Sequence, residues 1–410
     1  MGEQPRHAIA DSRVSARVQS FPESVIREMT RLCLHHGGVN LAQGFPDFPA
    51  PLELKQAAKA AIDADLNQYA ITWGAPRLRE AIAVAVKRTY GLEVDPGRDV
   101  TVTCGSTEAM MAAMLALIDP GDEAVILEPF YENYGPDAIV SGASPRFVPL
   151  RPPDFALPQE AMKAAFTTRT KVVVINTPNN PTGRVLRTEE LRLIADLCVD
   201  YDAIAVTDEI YEHIVYEGLR HVPMATIGDM AERTVTISGI SKTYSVTGWR
   251  VAWAIAPPAI SDAIKRIHDF LTVGAPAPLQ EAAVTALQLP ARYYEGLLQL
   301  YIGKRQRLLA HLRAAGMSPV TPEGAYYILC DLSDLGLVDD VAFAKWLVGT
   351  VGVAAVPGSS FYSRRADGSH LLRFTFSKKD ETLDDAGARL AALPELLGRA
   401  SVPGIERRGA

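Results

Sequence analysis

The sequence predicts an α/β protein, with a doubly wound, mostly parallel sheet in a large domain and a smaller α+β domain beside it. Three observations lead there. The chain has 410 residues, more than one hydrophobic core commonly supports. Between about residues 75 and 240, short apolar runs alternate with helical text, the pattern of repeated βαβ units. Beyond about residue 290 that rhythm gives way to one long helical stretch and then short strand-like pieces. The implied boundaries are 50–290 for the large domain, 18–49 with 291–397 for the small one, and flexible tails at 1–17 and 398–410.

In chain order, "ESVIREMTRLCLHHG" reads as a helix with Val25, Met29, Leu32 and Cys33 on one side and Gly37 as its stop. "VNLAQGFPDFPAP" carries too much Pro and Gly for regular structure and reads as a shaped loop. "PRLREAIAVAVKRTYG" is an amphipathic helix with Leu78, Ile82, Ala85 and Val86 inward and Gly91 at its end. "STEAMMAAMLALI" is apolar nearly all round, so it belongs in a core. "VTVTCG", "EAVILE", "KVVVIN", "AIAVTD" and "RTVTIS" are short and β-branched. Continuous apolar runs of that kind suit strands covered on both faces. "TEELRLIADLCVDY" supplies helical text between them. In the last third, a helix over "ARYYEGLLQLYIGKRQRLLAHLRAAG" presents Leu297, Tyr301, Arg305, Leu308 and Leu312, and "AYYILCDL", "VGVAAVPG" and "HLLRFTFS" read as strands.

Composition narrows the function classes. With 41 basic and 48 acidic residues the net charge is −7, which speaks against a nucleic-acid surface or a polybasic membrane patch. The first twenty residues lack an apolar leader segment, and no run of about eighteen apolar residues suggests a membrane span. Cys33, Cys104, Cys198 and Cys330 are far apart, with no metal-binding spacing. The expectation is a cytoplasmic protein with reduced thiols and no metal.

Ligands of an open parallel sheet sit beyond the carboxyl ends of its strands. After "VTVTC" comes Gly105-Ser106-Thr107, opening a helix whose free N–H groups and dipole suit a phosphate. "TPNNPTG" follows "KVVVIN" and holds Asn180. Asp208 ends "AIAVTD", with Tyr211 three residues on. Lys242 follows "RTVTIS", and Arg250 comes eight residues later. Singly, each has an ordinary reading: a turn, a loop-shaping amide, a helix cap, a core aromatic, a surface amine. Together, one rim carries phosphate donors, an amide, an acid with a phenol, and an amine.

"NNPTG", "TDEIYEH", "SKTYSVTGWR" and "LLRFTFS", in this order and spacing, resemble the class I/II aminotransferases, the pyridoxal-phosphate enzymes of fold type I. The resemblance runs from about residue 22 to 395. "VNLAQGFPDFPAP" resembles the branch with kynurenine, glutamine and methionine aminotransferases. The likeness implies that Lys242 forms an internal aldimine with pyridoxal 5'-phosphate and carries the proton. It implies that Asp208 pairs with the pyridine nitrogen and that Asn180 and Tyr211 bond the ring oxygen. Arg250 would hold the phosphate, with Gly105, Ser106, Thr107 and either Ser238 or Ser241. Tyr131, or its rival Phe130, would stack on the ring. Tyr69 would reach the phosphate of a neighbouring subunit, which implies a homodimer with shared sites. Arg373 would grip the substrate α-carboxylate, beside Asn180 and Gly44. "DFLTVGAPAPLQ", near Thr272 and Val273, would form part of the pocket wall.

One departure stands out: many relatives carry a hydroxyl three residues before the lysine, where this chain has Gly239. No second arginine for a side-chain carboxylate is identifiable, so a dicarboxylic amino acid is not supported as the sole preferred substrate. The expected reaction moves an amino group from an L-amino acid to a 2-oxo acid. A β-eliminating carbon–sulfur lyase would use the same residues and is the alternative. A ligand-sensing transcription regulator would need a DNA-binding domain in front, and only about twenty residues precede the first helix.

Overall fold

The computed structural model describes residues 15–19, 21, 23–399 and 402–406. Its main sheet has seven strands. In chain order they are β2 (Val100–Thr103), β3 (Glu123–Glu128), β4 (Ser144–Pro149), β5 (Thr170–Asn176), β6 (Ile204–Asp208), β7 (Thr234–Gly239) and β8 (Ala252–Ile255). Their spatial order is β2-β8-β7-β6-β5-β3-β4. All neighbours are parallel except β8, which runs antiparallel to both β2 and β7. A four-stranded sheet joins β9 (Ser318–Pro319), β10 (Tyr327–Asp331), β12 (Val356–Pro357) and β13 (Leu371–Thr375). A short pair joins β1 (Val39–Asn40) to β11 (Val353–Ala354) in parallel.

The apolar strands are buried because both faces of the main sheet are covered. Val125, Val173 and Ala205 face one core, which continues into the smaller sheet through Ile328, Leu372 and Phe374. Their chain neighbours Ile126, Val174 and Val206 face the other, packed by Ala109, Met110 and Met114 of the Ser106–Leu117 helix. Alternation along each strand therefore places every second residue in a different core, which requires the unbroken apolar text.

The local reading differs from the structure at several points. The Val25–His35 helix buries Met29 and Cys33 as expected, with Val25 and Leu32 half-buried against the same core, but it also buries Ile26, which was not expected. β4 has two prolines and lies at the sheet edge, where a missing N–H is tolerated. β8 is short and comes directly after "SKTYSVTGWR"; neither strand was expected. "VGVAAVPG" is not one strand but two, β11 and β12, which enter different sheets around Ala355. The expected tails fall mostly outside the described residues. Within them Ala16–Gln19 is helical, Val402 is buried, and Ile405 bridges to Leu337.

Candidate active site

Parallel strands deliver their last residues to one rim. β5 leads into Asn180, β6 ends at Asp208, and β7 leads into Lys242. The antiparallel strand makes the opposite contribution. Gly239 and Thr103 both pair with Ala252, the first residue of β8. Arg250, just before that strand, therefore stands at the same rim as the residues beyond the ends of the others. Arg250 adopts a left-handed backbone conformation, φ 55°, and its Nη1 donates to the Thr247 carbonyl at 2.9 Å.

Lys242 Nζ donates to the Gly44 carbonyl at 3.3 Å, and its ammonium lies 5.8 Å from the ring centres of both Tyr211 and Tyr326. Burial depresses its pKa to about 8; the Asp208 carboxylate opposes that shift, and the Arg250 and Arg373 cations add to it. Those electrostatic partners bring four of the sequence-predicted residues into one field. Asp208 is itself pushed up by burial. Two donors pull it back: the Tyr134 hydroxyl at 2.7 Å and the Ile210 N–H at 3.2 Å. Tyr211 shares a 2.9 Å hydrogen bond with the Tyr327 hydroxyl.

Arg373 is fully buried, 0% exposed. Its Nη1 donates to Asn180 Oδ1 at 2.9 Å and its Nη2 to the Ala42 carbonyl, both neutral acceptors. Nε has no partner among the described residues. Tyr327 and Phe361 flank the guanidinium at 4.4 and 5.0 Å. A desolvated cation held only by neutral groups favours an anionic ligand.

Three features fit a phosphate group. Gly105, φ 89°, precedes the Ser106–Leu117 helix, which has no side-chain cap. A Cβ at Gly105 would stand 2.0 Å from Arg250 Nη2, so only glycine lets the guanidinium close on that helix start. Ser241 Oγ is buried and has no partner among the described residues. Ser238 points elsewhere: its hydroxyl donates to Glu212, which also takes the Tyr90 hydroxyl. Ser238 therefore leaves the set of candidate phosphate contacts. Gly239 also has a local reason, since a Cβ there would stand 2.7 Å from Ala252 Cβ.

Phe130 stacks on Phe147 in the core at 5.4 Å, which leaves Tyr131, half-buried and set edge-on to Tyr134, as the aromatic at the rim. Ser106 is half-buried and Thr107 exposed. A Cβ at Gly44 would strike the Tyr327 hydroxyl at 2.0 Å. Tyr69 is not gathered into this cluster and stands 85% exposed. Val273 is half-exposed, and Thr272 bonds to His268 at 3.3 Å. Tyr134, Tyr326 and Tyr327 were missed by sequence reasoning. Tyr326 and Tyr327 lie inside the quoted "AYYILCDL" and Tyr134 three residues after Tyr131, but only the fold shows which hydroxyl meets which partner.

The chain resembles known proteins over nearly its whole length. Residues 36–390 match the family "Aminotransferase class I and II". The probable N-succinyldiaminopimelate aminotransferase DapC of Mycobacterium tuberculosis is 40% identical over 390 residues, which is 93% of this chain and 98% of that protein. Its solved structure superposes with a TM-score of 0.91 over 93% of this chain and all of the other. Human kynurenine–oxoglutarate transaminase 1 is 36% identical, covering 88% of this chain and 94% of its own. YbdL of Escherichia coli, described with a methionine aminotransferase function, is 34% identical with a TM-score of 0.88, over 93% and 99% of the two chains.

Proposed function

The chain belongs to the class I and II aminotransferases, which depend on pyridoxal phosphate, and from that premise we propose that its transamination is carried out by Lys242, Asp208, Arg250 and Arg373. The observation that carries these assignments is the Lys242 amine, softened to a pKa of about 8 on the same rim as a buried carboxylate and two guanidinium groups. The named relatives are all transaminases, so the carbon–sulfur lyase reading is not favoured.

Pyridoxal phosphate, when bound, supplies an aldehyde carbon for amine exchange and an electron sink for the pair left at the substrate α-carbon. The protein's residues supply the rest. Arg250, Ser241 and the N–H groups opening the Ser106–Leu117 helix would hold the phosphate, with Ser106 and Thr107 at its edge. Asp208 presents a carboxylate whose charge favours a protonated ring nitrogen, and Tyr134 orients that carboxylate. Asn180 and Tyr211 offer polar groups for the ring oxygen, and Tyr131 offers a face for the ring. Lys242 is neutral in a growing share of molecules as pH rises through about 8. In that form its amine would be able to hold the cofactor and to take the α-proton of the substrate at Nζ.

Arg373 would receive the α-carboxylate as a bidentate pair, next to Asn180 and the Gly44 carbonyl. The relatives' names carry three different side chains: N-succinyldiaminopimelate, kynurenine and methionine. An α-amino acid group is the part those substrates share, and Arg373 is assigned to it, with a 2-oxo acid as acceptor.

We also propose a homodimer with shared sites. Supporting it, Leu66, Tyr69, Ile71 and Trp73 are exposed, as are Phe270, Leu271 and Val273. Thr72 bonds to Asp269 and His268, which joins the two stretches into one apolar surface. The free thiols suit a cytoplasmic setting. Among the described residues no helix is long and apolar enough to cross a membrane.

The test is borohydride reduction of the cofactor-loaded protein, with peptide mapping of the product. The cofactor should be fixed to Lys242. Attachment at another lysine, or none from fully loaded protein, overturns the assignment.

A further inference from the structure

Glu132 sits next to Tyr131 at the rim, and the transamination chemistry gives it no task. Its carboxylate reaches across to the start of the Val25–His35 helix. Ser24 Oγ donates to Oε2 at 2.6 Å and the Ile26 N–H to Oε1 at 3.2 Å. Ser24 is also the N-cap of that helix, accepting from the Arg27 N–H at 3.4 Å. Burial raises the Glu132 pKa, while the Ser24 bond and the nearby Arg373 cation lower it. A half-buried carboxylate given two donors on another element is a tie between those elements.

The tied segment leads into the site. From the helix the chain passes through β1 to the loop after Asn40, whose carbonyls are held by cations. Arg373 donates to Ala42 and Lys242 to Gly44. Lys378 donates to Gln43 at 3.2 Å and Phe45 at 2.8 Å. Residues 24–45 thus form a strap, fastened at its start by Glu132 and at its end by Arg373 and Lys378, with Lys242 adding a contact while its amine is free.

We infer that Glu132 is a positioning residue for amino-acid capture: it pins the strap so that the Ala42–Gly44 loop stays seated on Arg373. This rests on the reading of Arg373 as the carboxylate seat. If only part of the population has the strap seated, apparent affinity falls by that fraction while the chemical step in bound molecules is unchanged. Loss of the tie therefore acts on KM more than on kcat.

The test uses the holoenzymes of E132A, E132Q and S24A. E132A should raise KM for amino acids about tenfold and leave kcat within about twofold. It should also speed deuterium exchange of the amides of residues 24–36 before substrate is added. E132Q keeps one carbonyl acceptor, so it should fall between wild type and E132A, as should S24A; these two carry the test if E132A does not fold. Unchanged KM in all three variants, or a fall in kcat at constant KM, overturns the inference. Faster exchange without a KM shift reduces Glu132 to a purely structural tie and overturns it as well. A wild-type protein that turns over no amino acid sinks the Arg373 reading instead. That failure is distinguishable, because exchange at 24–36 reads the tie with no substrate present.

Discussion

Asp208 illustrates how one buried residue is kept usable. Burial disfavours its charged form, and the hydroxyl of Tyr134 and the N–H of Ile210 offset that cost. A hydrogen bond to a charged group contributes about 1.5–3 kcal/mol, and one pKa unit corresponds to about 1.4 kcal/mol. Asp208 loses its charge as pH falls through its folded pKa, which already lies above the ordinary carboxylate value. Removing a donor raises that pKa further and moves the loss to higher pH. Y134F should therefore shift the acidic limb of the kcat/KM profile upward by about one unit. An unmoved limb would mean that Tyr134 does not support Asp208.

At the scale of elements, the phosphate seat depends on a helix start and a reversed strand meeting closely. Gly105 has φ 89° and ψ 163°, a region nearly closed to other residues and costing them about 1–3 kcal/mol. Its missing Cβ is also the feature that admits the Arg250 guanidinium. G105A should lower the thermal midpoint and weaken cofactor binding at least about tenfold. Titration of cofactor-free protein measures the second effect, and unchanged affinity would remove Arg250 and the helix start from the phosphate site. The same closeness of β7 and β8 accounts for Gly239, where a side chain would strike Ala252. With no hydroxyl there, Ser241, whose hydroxyl has no partner among the described residues, is the serine proposed for the phosphate.

For the whole molecule, the question is whether one chain completes its own site. Tyr69 and Phe270 stand 85% and 92% exposed on a single chain, an arrangement expected of an interface rather than of a free surface. Co-expressing K242A with Y69F tests it. Each mixed dimer would hold one site with Lys242 from one chain and Tyr69 from the other. With half the dimers mixed and one good site in each, activity should recover to about a quarter of wild type. An activity equal to the mean of the two parent variants would rule out sharing through Tyr69.

Much of this was legible in the sequence because strands, helix starts and turns are encoded locally. Apolar runs such as "KVVVIN" mark covered strands, and "GST", "NNPTG" and "SKTYSVTGWR" mark the turns and helix starts at their carboxyl ends. The family resemblance rests on the same short stretches. Decisions between neighbours were not legible. Phe130 against Tyr131, and Ser238 against Ser241, depend on which face of the chain meets a core that residues far away supply. The antiparallel entry of β8, the split of "VGVAAVPG" and the reach of Glu132 to Ser24 also join distant parts of the chain. The sequence by itself determined the fold class and the kinds of group brought to the rim, since those arise from local periodicity and composition. Only the tertiary structure decided which of those groups face one another, because contact across more than a hundred residues is set by packing and leaves no local pattern.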